Sequence, residues 1–595
     1  MSPRYLLAIA GQSHPDGEAE RLRVATGLGC VVKGPKILAF AGTECPHYRL
    51  GEQGLILGTL FRRQGDARAV RRLGDAEIHQ ILADPQTRLL SVYWGGYLCA
   101  VEAGAGLLLL RDPSASLPCY YAQSAGGTLI ASRVDLLLKA GCPPPAIDWL
   151  ALGRYHFTAG LPTPDTALAG IKELMPGCAM HVAQSGAGDQ VMRWSPWDHV
   201  DPDVRAEPLE KLRRAVINSV RACASPYSRL LGSVSGGLDS SIVMASLAGS
   251  AHDLQCITLF TDDPAGDERV YARALCDHLA LPLREHRYAL DHVQIDRPFS
   301  PHLPRPIGRA LGQAYEHAHL AVAHETGVDA FVTGSGGDNV FGYSQSASAI
   351  ADRWRIEGMG AALATLRDVC RQTGCGPFAA LGAAARLFRS RGYAWHAAPD
   401  FLHPDLVACF TPADLRHPWL HPAPDRLPGK AGQVASLLRM QHLLEPGRAA
   451  CAPVLYPLLS QPVVETCLAI PSWEWRTGGI DRSAARRAFA RDLPDMLVRR
   501  RVKGGPDGFA AAILRLHRAA IRERLLEGEL ARHGILDRDA PGLRLAGTAP
   551  LQGAEQMRIL DLLDTEAWVR SWLDRLSAFS PAGAPEAPVA FSPSG

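Results

Sequence analysis

Leu230-Leu231-Gly232-Ser233-Val234 runs directly into Ser235-Gly236-Gly237-Leu238-Asp239-Ser240-Ser241, and then into Ile242-Val243-Met244-Ala245-Ser246-Leu247-Ala248 before Gly249. The first segment reads as a short buried strand. The last reads as a helix that stops at Gly249. A strand, a glycine turn and a helix start together point backbone N–H groups at an anion. The two glycines allow close backbone approach, the serine hydroxyls add donors, and the helix N-terminus adds partial positive charge. Asp239 in the middle of such a cradle repels an anion unless a cation lies between, which implies Mg²⁺. The economical reading is a site for the pyrophosphate part of ATP, with Ser235, Gly236, Gly237, Asp239, Ser240 and Ser241 around it.

A second loop sits where the first needs a partner. Asp329-Ala330-Phe331-Val332-Thr333 reads as a strand and runs into Gly334-Ser335-Gly336-Gly337-Asp338-Asn339. In a parallel sheet both loops leave the carboxyl ends of strands, on one edge. Asp239 and Asp338 can then meet over one polyphosphate and share magnesium, which takes one or two carboxylates plus phosphate oxygens. Other nucleotide motifs are missing. Gly429-Lys430 is followed by Ala431 rather than Ser or Thr, Asn339 stands where GxGxxG needs its third glycine, and Ser235 has no GxSxG frame.

The rest of the chain is consistent with an intracellular enzyme. Its 595 residues suit two or three domains. Lys+Arg 62 against Asp+Glu 60 leaves a net charge of +2, so neither nucleic acid nor an acidic membrane is expected as a partner. The 14 cysteines are scattered without a CxxC pair, which favours free thiols in a reducing cytoplasm. The N-terminus lacks a basic region before its apolar run, and the run at Leu107–Leu110 is far too short to span a bilayer.

Residues 1–195 carry β-like runs (Tyr5–Ala10, Leu89–Tyr93, Tyr97–Glu102, Leu107–Leu110, Thr128–Ala131) punctuated by Gly and Pro, as in antiparallel sheets. Pro196 through Asp203 reads as a linker. Strands and helices then alternate: helix 207–223, strand 229–234, helix 240–248, strand 254–260, helix 268–280, strand 284–288. That alternation predicts a parallel α/β sheet. Residues from about 350 to 580 read as mainly helical, and the tail 579–595 as disordered.

Only seven lysines occur, so Lys503 within Arg499-Arg500-Arg501-Val502-Lys503-Gly504-Gly505-Pro506-Asp507-Gly508 stands out. A lysine there could hold the α-phosphate and the charge developing on a substrate carbonyl. His317, His319 and His324 read as ordinary helix histidines rather than metal ligands. Asp262-Asp263 and Asp267-Glu268 read as a solvated acidic turn.

These motifs resemble the asparagine synthetase family over most of the chain. Ser235–Ser241 has its SGGxDSS pattern, Thr333–Gly342 its SGEGSDEvFG loop, Pro453–Ile470 its VPFLD segment, and Asp481–Gly508 its late helix and lysine loop. Trp94-Gly95-Gly96-Tyr97, Arg111-Asp112-Pro113, Tyr120-Tyr121 and Ile130-Ala131-Ser132 resemble its glutaminase-type domain. The resemblance implies an α/β chain with a glutaminase-like, Ntn-type β-rich α+β domain over 1–195. It implies an ATP-pyrophosphatase synthetase domain of the adenine-nucleotide α-hydrolase type, with a helical C-terminal part, over 204–578. Adenine is expected against Val234, Leu259, Thr333 and Gly334.

Two departures bear on function. Residue 2 is Ser where the family's glutaminase carries its nucleophilic Cys, so ammonia from glutamine is not expected. Ser335 and Asn339 stand where asparagine-forming members carry Glu, so the acceptor chemistry is expected to differ. An adenylation site without a glutaminase resembles lasso peptide cyclases and β-lactam synthetases, with the Arg111–Tyr121, Gly336–Gly342 and Lys503–Gly508 stretches most like the former. The resemblance implies ATP and Mg²⁺ as cofactors, and adenylation of an Asp or Glu side chain of a precursor core peptide. The peptide's N-terminal amine then closes a macrolactam, with Lys503 stabilising the oxyanion. A leader-cleaving protease and a leader-binding module are the other implied partners. Ammonia-dependent asparagine synthesis and β-lactam closure are the alternatives. A silent scaffold and a tRNA-modifying pyrophosphatase fit less well, given the intact Asp239, Asp338 and Lys503 and the near-neutral charge.

Overall fold

The architecture comes from a computed structural model that describes residues 3–9, 15–200, 207–261, 266–389, 393–420, 427–441, 446–501, 507–547, 551 and 553–577. Two six-stranded antiparallel sheets make up the N-terminal part. The first has Tyr5–Ile9 at its centre, paired with Ile37–Ala41 and Gly127–Ala131. The second is built around the long Tyr93–Ala103 strand between Gly54–Arg62 and Gly106–Arg111. Tyr5, Leu7 and Ile9 of one sheet pack with Leu55, Leu57, Leu98 and Leu109 of the other in a common core. The alternate residues Leu6 and Ala8 are equally buried, on the opposite face. A strand covered on both sides has no polar alternation, which is why Tyr5–Ile9 is an unbroken apolar run.

What covers that opposite face comes from the other end of the chain. Leu6, Ala8, Leu38 and Phe40 share a core with Ile559, Leu563, Trp568 and Trp572 of the helix Gly553–Ser577. Arg305, from the C-terminal part, pairs with Glu173, which also binds Arg111 at 2.7 Å. The Arg111-Asp112 pair is therefore a brace. Arg111 Nε donates to Leu117 O (2.9 Å), and Asp112 Oδ2 accepts from Tyr97 N (3.0 Å).

One sequence expectation fails here. Leu89–Tyr93 is not a strand: Pro85–Val92 is a helix, and only Tyr93 begins the following strand. Pro85 at the first helical position and Asp84, whose side chain accepts from Thr87 N at 3.1 Å, start a helix that the apolar run alone conceals.

The second half holds a five-stranded parallel sheet. Its strands are β1 (Arg229–Ser233), β2 (Asp253–Phe260), β3 (Leu283–Arg287), β4 (Ala330–Val332) and β5 (Val454–Leu455), in the order β3-β2-β1-β4-β5. Helices α1 (Pro208–Ala224), α2 (Leu238–Leu247), α3 (Arg269–Leu279) and α4 (Gly312–Thr326) cover it. Leu230 packs against Ile242, Val243 and Met244 of α2, while Leu231 packs with Ala318 and Val322 of α4. Chain order reverses at β1, between β2 and β4, and that is where a ligand crevice opens at the carboxyl ends of the strands. Beyond residue 348 the described chain is largely helical. Among the described residues no helix is long and apolar enough to cross a membrane.

Candidate active site

Both glycine loops leave the carboxyl ends of neighbouring strands, β1 and β4, which pair in parallel. Gly236 has φ +66°, a left-handed conformation that a side chain would strain. Gly237 is extended, and α2 starts at Leu238, two residues earlier than the sequence pattern suggests. Asp239 therefore lies in the first helical turn, among N–H groups that have no partner within the helix. Ser240 and Ser241 turn their hydroxyls back to Gly237 O at 3.2 and 2.8 Å. They brace the loop in this state.

The second loop presses directly on the first. A Cβ built on Gly337 would lie 2.3 Å from both Cβ and Cγ of Asp239, and one on Gly334 would lie 2.4 Å from Ser240 N. Side chains at these positions would force the loops apart, so glycine is a steric requirement of the contact.

That contact brings Asp239 and Asp338 to one point. Arg482 Nη1 donates to Asp239 at 3.0 and 3.2 Å and also bonds Asp338 Oδ1. Burial alone would lower the Arg482 pKa, but the Asp239, Asp338 and Asp481 charges outweigh it and hold the guanidinium charged. Arg482 is itself anchored: its Nε donates to Asp481 at 2.9 Å, and Arg486 holds the same Asp481 oxygen at 2.9 Å. A single cationic nitrogen thus contacts both carboxylates. This donor set fits a divalent ion that takes two carboxylates and completes its shell with phosphate oxygens and water.

Arg500 supports the first loop from outside. Its Nη1 donates to Gly236 O at 2.6 Å, it pairs with Glu268, and it stacks over Tyr271 at 3.9 Å. Fixing that carbonyl fixes the peptide plane, and with it the direction of the Gly237 N–H. Asp267 pairs with Arg269 (2.6 Å), while Asp262 and Asp263 lie outside the described residues.

Beside the loops lies a cavity of about 580 Å³ whose lining includes Val234, Ser235, Leu259 and Ser335. Tyr288, Phe299 and Phe509 give it aromatic walls. Thr333 and Gly334 do not line it. Thr333 Oγ1 instead bonds Ser335 Oγ at 2.9 Å, while Gly334 packs on α2. Of the four expected adenine contacts, only Val234 and Leu259 face this space. Asn339 also points elsewhere: its Nδ2 donates to Ser436 O and Oγ, both at 2.8 Å, and fastens the loop to the helix Pro428–Leu438.

Residues 211–570, more than half of the chain, match the family model described as asparagine synthase. The chain belongs to the asparagine synthase family. That family consists of ATP-dependent carbon–nitrogen ligases, and its matched region takes in both loops and Arg482. This family member is 26% identical over 229 residues to a carboxyethyl-arginine β-lactam-synthase of Streptomyces clavuligerus. The alignment covers 37% of this chain and 39% of that protein, so the chain spans about two fifths of the length of the curated relative it matches. Solved structures matched include a glutamine phosphoribosylpyrophosphate amidotransferase from B. subtilis with ADP and GMP (10% identity, 56% of this chain, 90% of that one, TM-score 0.21). A second is an allosteric regulatory enzyme of purine biosynthesis (9% identity, 56% and 89%, TM-score 0.21). Scores of 0.21 add nothing to the fold, which rests on the strand pairing itself.

Lys503 and Ser2 lie outside the described residues. The histidines of α4 take separate roles: His317 stacks on His292 at 3.5 Å, and His319 is buried. Arg482 and Arg500 are the site residues that motif reading missed. Arg482 sits within the Asp481–Gly508 stretch that resembles the family, but its sequence context does not say that it reaches residue 239.

Proposed function

We propose that this chain forms a macrolactam in a lasso-type peptide at the expense of ATP. The observation that carries the reading is the meeting of Asp239 and Asp338 on one cationic nitrogen, beside a cavity large enough for a nucleoside. The β-lactam relative supports it, because its printed name describes a ring closed by an amide within one molecule.

In this reading the Ser235–Ser241 loop and the α2 N-terminus bind the triphosphate, and the base enters the cavity against Val234 and Leu259. Asp239 and Asp338 would hold Mg²⁺, which supplies charge neutralisation for the departing pyrophosphate. An Asp or Glu side-chain carboxylate of the peptide attacks the α-phosphorus, forming an acyl–O–P bond as the α–β P–O bond breaks and pyrophosphate leaves. The peptide's N-terminal amine then attacks the acyl carbon; the C–N bond forms, AMP departs with the C–O electron pair, and the amine gives up a proton. Both reacting groups belong to one chain, so prefolding the peptide makes closure unimolecular. Lys503, assigned by its motif, stabilises the oxyanion and the leaving phosphate. The core peptide arrives with a free amine, which requires a leader-cleaving protease and a leader-binding module upstream.

The test is incubation of the purified chain with ATP, Mg²⁺ and a leader-free core peptide encoded beside its gene. AMP, pyrophosphate and a peptide lighter by one water support the proposal. Asn from Asp plus ammonia would replace it with ammonia-dependent asparagine synthesis, and a four-membered lactam from an N-substituted amino acid with β-lactam closure.

A further inference from the structure

A hydrogen-bond chain in the cavity wall has no part in the phosphate chemistry. Ser233 ends β1 just before Val234, on the strand face turned to α4, two residues after Leu231, which packs on Ala318 and Val322. His319 of α4 is 1% exposed. Its Nδ1 lies 2.8 Å from Tyr315 O, an atom that can only accept, so Nδ1 holds the ring proton. Nε2 is then a lone pair, and the Ser233 hydroxyl, 2.8 Å away, donates to it. Burial, reinforced by the Arg448 guanidinium, pushes His319 down to about 3, so the ring stays neutral and this direction does not reverse near neutral pH.

The consequence falls on the cavity. Ser233 and His319 both line it, together with Val234, Leu259 and Ser235. With its proton committed to His319, Ser233 Oγ offers the cavity only lone pairs. A ligand with its phosphates on Ser235–Ser241 places its base in this space, walled by Ile257 and Leu259. An acceptor fixed in such a wall favours a donor on the ligand and penalises another acceptor, because two facing lone pairs leave both groups unpaired.

We propose that Ser233, held by His319, selects the purine: it accepts from the exocyclic 6-amino group of adenine and rejects a 6-oxo purine. This rests on the reading of the cavity as a nucleotide site. Arg448 and Glu316 also line the cavity, and there they are paired with each other.

The experiment compares binding of ATP and ITP, with Mg²⁺, to the full chain by titration calorimetry, with magnesium pyrophosphate as a separate probe of the phosphate loop. The wild type is expected to prefer ATP roughly 10- to 100-fold, the scale of discrimination by one mispaired polar group. Ser233→Ala should bring the two nucleotides within about threefold of each other, with pyrophosphate binding retained. His319→Phe should release the Ser233 proton, so that the hydroxyl can turn and donate; ITP then gains relative to ATP. An unchanged ATP/ITP ratio in Ser233→Ala overturns the selector while leaving the nucleotide site standing. A wild type that binds pyrophosphate but neither nucleotide overturns the nucleotide reading, and the selector with it.

Discussion

The Asp239 and Asp338 carboxylates, carried by loops after two neighbouring strands, are bound by the same atom, Nη1 of Arg482. Two acidic groups this close are mutually repulsive, and Asp239 is only 8% exposed. The pair is stable because a cation lies between them.

Removing either carboxylate should stop adenylation. Asp239→Ala and Asp338→Ala are each expected to lose on the order of 10²–10³-fold in pyrophosphate exchange, the scale of a lost electrostatic contact in a transition state. The double substitution should cost little more than either single one, because the two act as a unit. Normal exchange by Asp338→Ala would dismiss the shared-cation arrangement.

Arg482→Met should destabilise the protein when magnesium is chelated. It removes the guanidinium that both carboxylates contact, at a cost of about 2–3 kcal/mol, below that of a fully enclosed pair because Asp338 remains partly open to water. Magnesium with pyrophosphate should restore part of the lost melting temperature. A melting curve unaffected by the substitution, with chelator and without, would show that Arg482 carries no such burden.

Gly337→Ala tests the contact between the loops. Its Cβ would fall 2.3 Å from Asp239. Overpacking at such a position costs about 1–3 kcal/mol, and the displaced Asp239 should lose pyrophosphate exchange even where the variant remains folded by circular dichroism. Wild-type exchange in Gly337→Ala would mean that the loops can separate without consequence.

A pH effect is built in behind the cavity wall, at the residue that holds Phe299. Asp564 is 1% exposed: Oδ1 accepts from Phe299 N at 2.9 Å, and Oδ2 has no hydrogen-bond partner among the described residues. Burial, helped by the Asp561 charge, raises its pKa to about 7. The folded chain therefore keeps a proton that the unfolded chain loses at ordinary carboxyl pKa. Stability from this group is fully present at low pH and is lost as pH rises toward and through about 7. Asp564→Asn should be more stable than the wild type at pH 8, by a few kcal/mol at most, with a smaller gain at pH 5 that vanishes only below the ordinary carboxyl pKa. Chemical denaturation at the two pH values measures the difference.

Much of this was legible because it is local. Ser235–Ser241 between an apolar strand and an apolar helix carries its own turn chemistry, and the parallel sheet follows from strands and helices that alternate. Leu89–Tyr93 misled for the same reason: five residues of apolar sequence cannot distinguish a strand from the last turn of a helix whose start signal, Asp84-Pro85, lies just upstream. Asn339 stands where asparagine-forming members carry Glu, and only the structure shows that its amide nitrogen is bonded to Ser436.

The sequence by itself determined that a glycine-rich loop joins a strand to a helix start, that a second glycine loop accompanies it, and that each carries one aspartate. Only the tertiary structure decided that Arg482 stands between those aspartates, that Arg500 fixes the Gly236 carbonyl, that Ser233 faces the cavity with its proton turned away, and that the C-terminal helix completes the core of the N-terminal sheets. The division has a physical cause. Turn and helix-start preferences act over a few residues and leave their mark in the string, whereas side-chain contacts between positions hundreds of residues apart are set by packing, which no short stretch of sequence records.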